Sequence, residues 1–237
     1  MSEIKTRIAA VASIPRMGFQ DHFGCLMAML HQHGIPYFAY SGAFWHKGIQ
    51  NALMDTAKTA DWILCTDYDT VATAYQLDIL LKTFGNNPHM DALAAFQCRR
   101  GTGTPLFTVK DEKTGKFRTN IVCEEPIKAY TAHFGLTLIR TKSLLEMPKP
   151  WFLSVPDDKG EWGSESTDAD IYFWKKWAEL GKTLYVEPNC RIGHMELMVS
   201  QPDDFMLQRH MSITRWRELF MPGGQENTLG EREDTTR

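Results

Sequence analysis

"DWILCTDYDT", residues 61–70, sets two aspartates at the end of an apolar run. Trp62, Ile63, Leu64 and Cys65 carry no polar break, the pattern of a strand covered on both faces by helices. Asp67 and Asp69 follow at once. Side chains alternate along extended backbone, so the two carboxylates are expected to face one way and Tyr68 the other. Open α/β sheets take their ligands beyond the carboxyl ends of their strands, where this pair falls. Carboxylates so close repel each other unless a cation or a donor lies between them. Two readings stand. One is a loop whose aspartates cap the next helix. The other is a hard divalent cation on oxygen ligands, which also grips a diphosphate.

Working outward, the first half alternates strand and helix. "IAAVASI" (8–14) is an apolar strand. Phe19, Phe23, Leu26, Met27 and Leu30 form a helical stripe over 19–33, with Gly34 suited to the C-terminal cap. "IPYFAY" (35–40) predicts a second strand, "GIQNALMDTAK" (48–58) a helix, 72–84 another helix and "DALAAFQ" (91–97) a fourth strand. This order predicts an α/β fold with a mostly parallel central sheet flanked by helices. The second half differs. "LFTVKDEKTGKFRTNIV" (106–122) predicts a hairpin around Lys-Thr-Gly-Lys. A strand over 132–140, short helix over 142–146 and helix over 168–180 follow, then strand-like pieces at 183–187 and 191–195. The tail 223–237 is almost purely polar and is expected to fray.

The chain has 237 residues, 43% of them hydrophobic, which suits a sizeable core and excludes wholesale disorder. A net charge of −3 gives no global basic field of the kind a dedicated nucleic-acid binder carries. Five scattered cysteines without a CxxC pair fit free thiols in a reducing cytoplasm. No run approaches the roughly 20 apolar residues of a membrane span.

Other candidate residues have plain alternatives. His194, in "CRIGHM", suits either a packed core position or a ligand. Asp168 and Asp170 open an amphipathic helix in "STDADIYFWKKWAELGK" (166–182). Thr167 and Asp170 come close to a capping box, which alone accounts for both acids. If both lie within the helix, about 200° separates them and only one can face a cleft. Arg99 and Arg100 follow a strand end, either adding charge to phosphates or forming a solvated pair. Trp162 sits in the polar segment "SVPDDKGEWGSES" (154–166), either a surface loop or a lid whose indole stacks on a sugar.

In order, the apolar first strand, the strand ending in "DYD", "HFGLTLIRTKSLLEMPKPWF" (133–152), "TDADIYF" (167–173), "GKTLYVEP" (181–188) and "GH" (193–194) resemble the GT-A fold glycosyltransferases. The nearest likeness is to the family-2-like enzymes of bacteria and phages, over residues 6–196. The resemblance implies one GT-A-like domain over 1–222. Its nucleotide-binding half is about 1–100 and its smaller acceptor half, with the hairpin, about 101–222. It implies that Asp67 and Asp69 hold a divalent metal and the donor diphosphate, and that His194 completes the metal site. Asp170 matches the catalytic base of inverting members, with Asp168 as runner-up. Ser13, Ile14, Pro15 and Arg16 match the nucleotide-binding edge. Asn51 falls where related sequences show Arg-Asn, and Trp151 and Phe152 match an aromatic pair near the acceptor. Ala169 replaces the Glu of the family Glu-Asp motif, and Tyr40-Ser41-Gly42 stands where many members carry a base-reading aspartate.

The activity so implied is metal-dependent hexosyl or pentosyl transfer from a nucleotide-diphosphate sugar, a UDP-sugar first, to an acceptor hydroxyl. Oxygen ligands with one imidazole favour manganese over magnesium. A saccharide is the first-choice acceptor. A hydroxymethylated DNA base is the second, with "CRRGTG" and "RHMSITRWREL" (209–219) as local basic stretches. Two other classes stay open. A nucleotidyltransferase wants a glycine-rich phosphate loop after the first strand, where "SIPRMGFQ" has one glycine. A non-catalytic nucleotide-sugar-binding module is consistent with the altered Glu-Asp motif.

Overall fold

The computed structural model describes residues 6–15, 18–101, 103–119, 124–163, 165–202 and 208–220. By contacts the chain divides into two compact units, Met1–Met195 and Glu196–Arg237. The first begins with β1 (Ile8–Ile14), α1 (Gln20–His33), β2 (Tyr37–Ser41), α2 (Trp45–Thr56) and β3 (Trp62–Asp67). Next come β4 (Thr70–Val71), α3 (Ala74–Asn86) and β5 (Ala92–Phe96), then β6 (Phe107–Lys110), β7 (Phe117–Arg118), β8 (Ile127–Ala129) and β9 (Thr131–Ala132). It closes with β10 (Leu136–Arg140), α4 (Thr141–Leu145), α5 (Ala169–Glu179), β11 (Leu184–Arg191) and β12 (Gly193–His194). In the second unit β13 (Met198–Pro202) and β14 (Gln208–Ser212) pair antiparallel and lead into α6 (Ile213–Phe220). The predicted tail, 223–237, lies outside the described residues.

The central sheet has seven strands in the order β2-β1-β3-β10-β5-β11-β8. Strands β1, β2, β3, β5 and β11 share one direction, while β10 and β8 oppose it. The antiparallel β10, wedged between β3 and β5, is not legible from the strand–helix alternation. Its pairing partners lie 43 to 78 residues upstream, and no local pattern encodes them. The hairpin expected over 106–122 is β6–β7, with Lys110 opposite Phe117.

Alternation along β3 feeds two cores. Ile63 and Cys65 join one cluster and Leu64 the other, as expected of a strand covered on both faces. On one face Leu26, Leu30, Leu77, Leu80 and Phe84 come from α1 and α3. The other face is aromatic. Phe134 stacks on Trp174 at 5.1 Å, and Phe152 on Phe173 at 4.8 Å. α1 ends at Gly34, whose φ of 61° lies in the left-handed region glycine adopts without strain. α3 starts with a full capping box between Thr73 and Gln76. Among the described residues, no helix is long and apolar enough to cross a membrane.

Trp151 belongs to the aromatic core. It is 1% exposed, and its indole N–H donates to the Met147 carbonyl at 2.9 Å. Its backbone N–H donates to the Gln50 side chain at 2.9 Å. Trp151→Ala is therefore expected to cost about 3–5 kcal/mol of stability, the usual range for an aromatic cut out of a core. Urea unfolding of the variant measures this. A loss below about 1 kcal/mol would remove Trp151 from the core and return it to the binding residues.

Candidate functional site

A cleft of about 420 Å³ opens beyond the carboxyl ends of β3 and β5. Asp67, Asp69, Arg100, Asp168, Asp170 and His194 all line it. They come from four separate stretches of chain. β3 ends at Asp67, and Asp69 sits in the turn before β4. The expected alternation stops there, because a turn does not keep the period of two. Tyr68 accordingly lines the cleft beside both aspartates.

The Asp67 carboxylate accepts the Tyr68 N–H at 3.0 Å. Burial, reinforced by the charge of Asp69, pushes its pKa up to about 6. Asp69 is 2% exposed. Its Oδ2 lies 3.2 Å from His194 Nε2 and 3.4 Å from an Arg100 guanidinium nitrogen. Its Oδ1 is buried with no hydrogen-bond partner. His194 reaches this position through a short ladder in which Gly193 pairs with Val71 and His194 with Thr70. The Cys98 carbonyl lies 3.0 Å from His194 Nδ1 and accepts its N–H, which leaves Nε2 toward Asp69. Burial opposes a charged imidazole, but Asp69 and the Cys98 carbonyl outweigh it and the pKa is raised. The two residues are 125 positions apart along the chain, a pairing that the family resemblance implied and that no local pattern encodes.

Asp168 and Asp170 both line the cleft, against the expectation that only one could. The reason lies in the helix boundary. Asp168 is the N-cap residue of α5, with extended backbone at φ −68° and ψ 156°, so helical spacing does not govern it. Its side chain makes no capping hydrogen bond. The Asp170 carboxylate accepts the N–H of Ile171 at 2.8 Å. Helix capping thus leaves both carboxylates only partly explained. Burial raises the Asp170 pKa, opposed by the Ile171 N–H and helped by the charge of Asp168.

Other sequence candidates fall elsewhere. Ser13 is buried under α2, where a Cβ on Gly48 would come within 2.3 Å of Ser13 Oγ. Pro15 is half-buried just past β1, and Arg16 lies outside the described residues. Asn51 and Arg99 are exposed and off the cleft lining. Trp151 and Phe152 are core residues and not an acceptor platform: both are buried in the aromatic cluster, and Phe152 stacks on Phe173 of α5. Trp162 is 66% exposed and does not line the cleft. The lining instead includes residues that the sequence reading passed over. Trp45 and His46 open α2 earlier than the predicted helix start. Gln97 and His133 fall at strand ends, where a polar residue after an apolar run was the available clue. His133 is held neutral: burial pushes its pKa down to about 4.

No protein-family model matches the sequence, and no curated protein matches it. Solved structures do match. The crystal structure of A197 from STIV aligns with a TM-score of 0.52 at 17% identity, over 86% of this chain and 93% of that one. A structure of GalNAc-T7 with UDP, GalNAc and Mn2+ aligns with a TM-score of 0.50 at 12% identity. That match covers 81% of this chain and 44% of the other, so the chain spans less than half of GalNAc-T7. At these identities the likeness is one of fold. The fold is GT-A-like: a mostly parallel sheet with helices on both faces.

Proposed function

We propose that this protein is a metal-dependent glycosyltransferase that moves a sugar from a nucleotide diphosphate to an acceptor hydroxyl. One observation carries the reading. A single cleft on a GT-A-like sheet joins Asp67, Asp69 and His194 to Asp168 and Asp170, with Arg100 3.4 Å from Asp69. The donor is a nucleotide sugar, a UDP-sugar first; a similar fold is known with UDP and Mn2+ bound. A saccharide is the first-choice acceptor and a hydroxymethylated DNA base the second. Free thiols at Cys25, Cys65, Cys98 and Cys190 suit a cytoplasmic setting.

Among the described residues no three His, Cys, Asp or Glu side chains stand together in metal-binding geometry. The donor set nevertheless fits a hard cation. Asp69 Oδ1 is a buried carboxylate oxygen without a partner, and four carboxylates share the cleft with one guanidinium. Asp69 and His194 would hold the ion, with Asp67 beside them. A bound divalent ion would neutralise charge on the departing diphosphate. Arg100 adds a fixed positive charge on the same side. In the transfer, Asp170 takes the acceptor hydroxyl proton as the acceptor oxygen bonds to the sugar C1. The bond from C1 to the β-phosphate oxygen breaks, and the nucleoside diphosphate leaves with that electron pair. Burial raises the Asp170 pKa, which makes its carboxylate a stronger base than a free one.

The test is turnover of a panel of nucleotide sugars by the purified protein, with and without Mn2+. Metal-dependent hydrolysis or transfer of at least one donor is expected. Binding without turnover would leave a nucleotide-sugar-binding module, and the absence of both would end the reading.

Metal binding should also depend on pH. Asp67 is protonated below about 6, and His194 is protonated up to a raised pKa. Both groups bind their protons more tightly in the folded than in the unfolded state. Their contribution to metal-free stability is present at low pH and lost as pH rises through those folded values. A cation needs both groups deprotonated, so its stabilisation runs the opposite way. Thermal shift by Mn2+ is expected to be small at pH 5, where Asp67 alone weakens binding about tenfold, and full by pH 8. A pH-independent shift would exclude Asp67 and His194 as ligands.

A further inference from the structure

We infer that Gln97 is a positioning residue that holds the two ligand-bearing segments together. This rests on the reading of Asp69 and His194 as metal ligands. The Gln97 side chain is 3% exposed and points from the end of β5 into the base of the cleft. Its Nε2 lies 3.0 Å from the carbonyl of Gly193, the residue before His194. The same nitrogen lies 3.3 Å from Thr70 Oγ1, on the residue after Asp69. A carbonyl only accepts, so the NH2 end of the amide must face Gly193, and its second hydrogen serves Thr70. One amide thus ties together two segments that are 123 residues apart along the chain.

That tie matters because the β4–β12 ladder holds only two residue pairs. A two-stranded piece so short is not stable by itself. The next residue of β5's outgoing chain, Cys98, supplies the carbonyl that fixes His194 Nδ1. The amide is also confined. A Cβ on Gly135 would stand 2.7 Å from both Gln97 Oε1 and Thr70 Oγ1, so the amide and its Thr70 anchor pack closely against a position that only glycine fits.

Gln97→Met keeps the length of the side chain and removes both donors. Mn2+ titration of the full-length protein is expected to show affinity weakened by about 10- to 100-fold, the usual effect of removing a residue that orients a ligand. Pulsed electron paramagnetic resonance of bound Mn2+ supplies a second readout. Coupling to an imidazole nitrogen is expected in the wild type and lost in Gln97→Met, whereas a simple loss of stability leaves the coupling of the folded fraction unchanged. Thr70→Val removes one of the two anchors at nearly constant volume and decides the matter if Gln97→Met fails to fold. It is expected to weaken Mn2+ less than Gln97→Met but measurably. Wild-type affinity and nitrogen coupling in the folded variant would overturn the positioning role while the metal reading stands. A wild type that binds no Mn2+, or binds it without nitrogen coupling, would overturn the ligand assignment and this inference with it.

Discussion

Asp170→Asn is expected to lower turnover by about 100- to 10,000-fold, the range that a positioned acid or base contributes. Asparagine keeps the shape and can still accept the Ile171 N–H, so α5 should start unchanged. What it loses is the ability to take a proton. Donor affinity should persist, because the carboxylate acts on the acceptor and not on the diphosphate. Loss of kcat with intact nucleotide binding is therefore the expected result. Asp168→Asn is the control. That side chain is exposed and makes no capping bond, so its stability cost should stay within about 0.5 kcal/mol. Its charge helps to raise the Asp170 pKa, so its removal should move the acid limb of the pH–rate profile to lower pH with turnover largely kept. A dead Asp168 variant beside an active Asp170 variant would exchange the two roles. Near-full turnover in both would remove a carboxylate base from the mechanism.

Asp69→Asn is expected to abolish metal-dependent nucleotide binding. Asp69 is the most buried aspartate of the cleft, and it meets His194 and Arg100 through one oxygen while the other has no partner. Asparagine fills the same volume, so the fold should hold. The charge that would attract a cation is gone. Residues that merely orient ligands are worth about 10- to 100-fold in metal affinity, so removal of a ligand charge should cost on the order of a hundredfold or more. Calorimetric titration of the nucleotide with and without Mn2+ measures it. An unchanged Mn2+-dependent gain in affinity would show that Asp69 holds no ion.

Much of the architecture is written locally. The run Trp62–Cys65 is apolar on both faces, so β3 had to be covered on both sides, and helices with one apolar stripe supply the cover. Gly34 marks the end of α1 because few other residues take its backbone angles without strain. The position of Asp67 and Asp69 at a strand's carboxyl end follows from the order of those elements alone. Local pattern misled where two environments share one appearance. "KPWF" reads equally as an acceptor platform or as core, and packing against Phe134 and Phe173 decided for core. The spacing predicts α5 from residue 168, and the helix starts at Ala169. A helix boundary is set by a single residue's dihedrals, and that one position turned both Asp168 and Asp170 toward the cleft.

The sequence by itself determined the layered α/β plan, the strand that carries Asp67 and the acidic start of α5, because hydrophobic periodicity and turn residues act over a few positions. Only the tertiary structure decided that His194 meets Asp69, that Arg100 and not Arg99 reaches the same carboxylate, and that Gln97 braces the pair. Those contacts join residues up to 125 positions apart. They depend on which strands pair and in what register, and that is fixed by burial of the whole sheet at once.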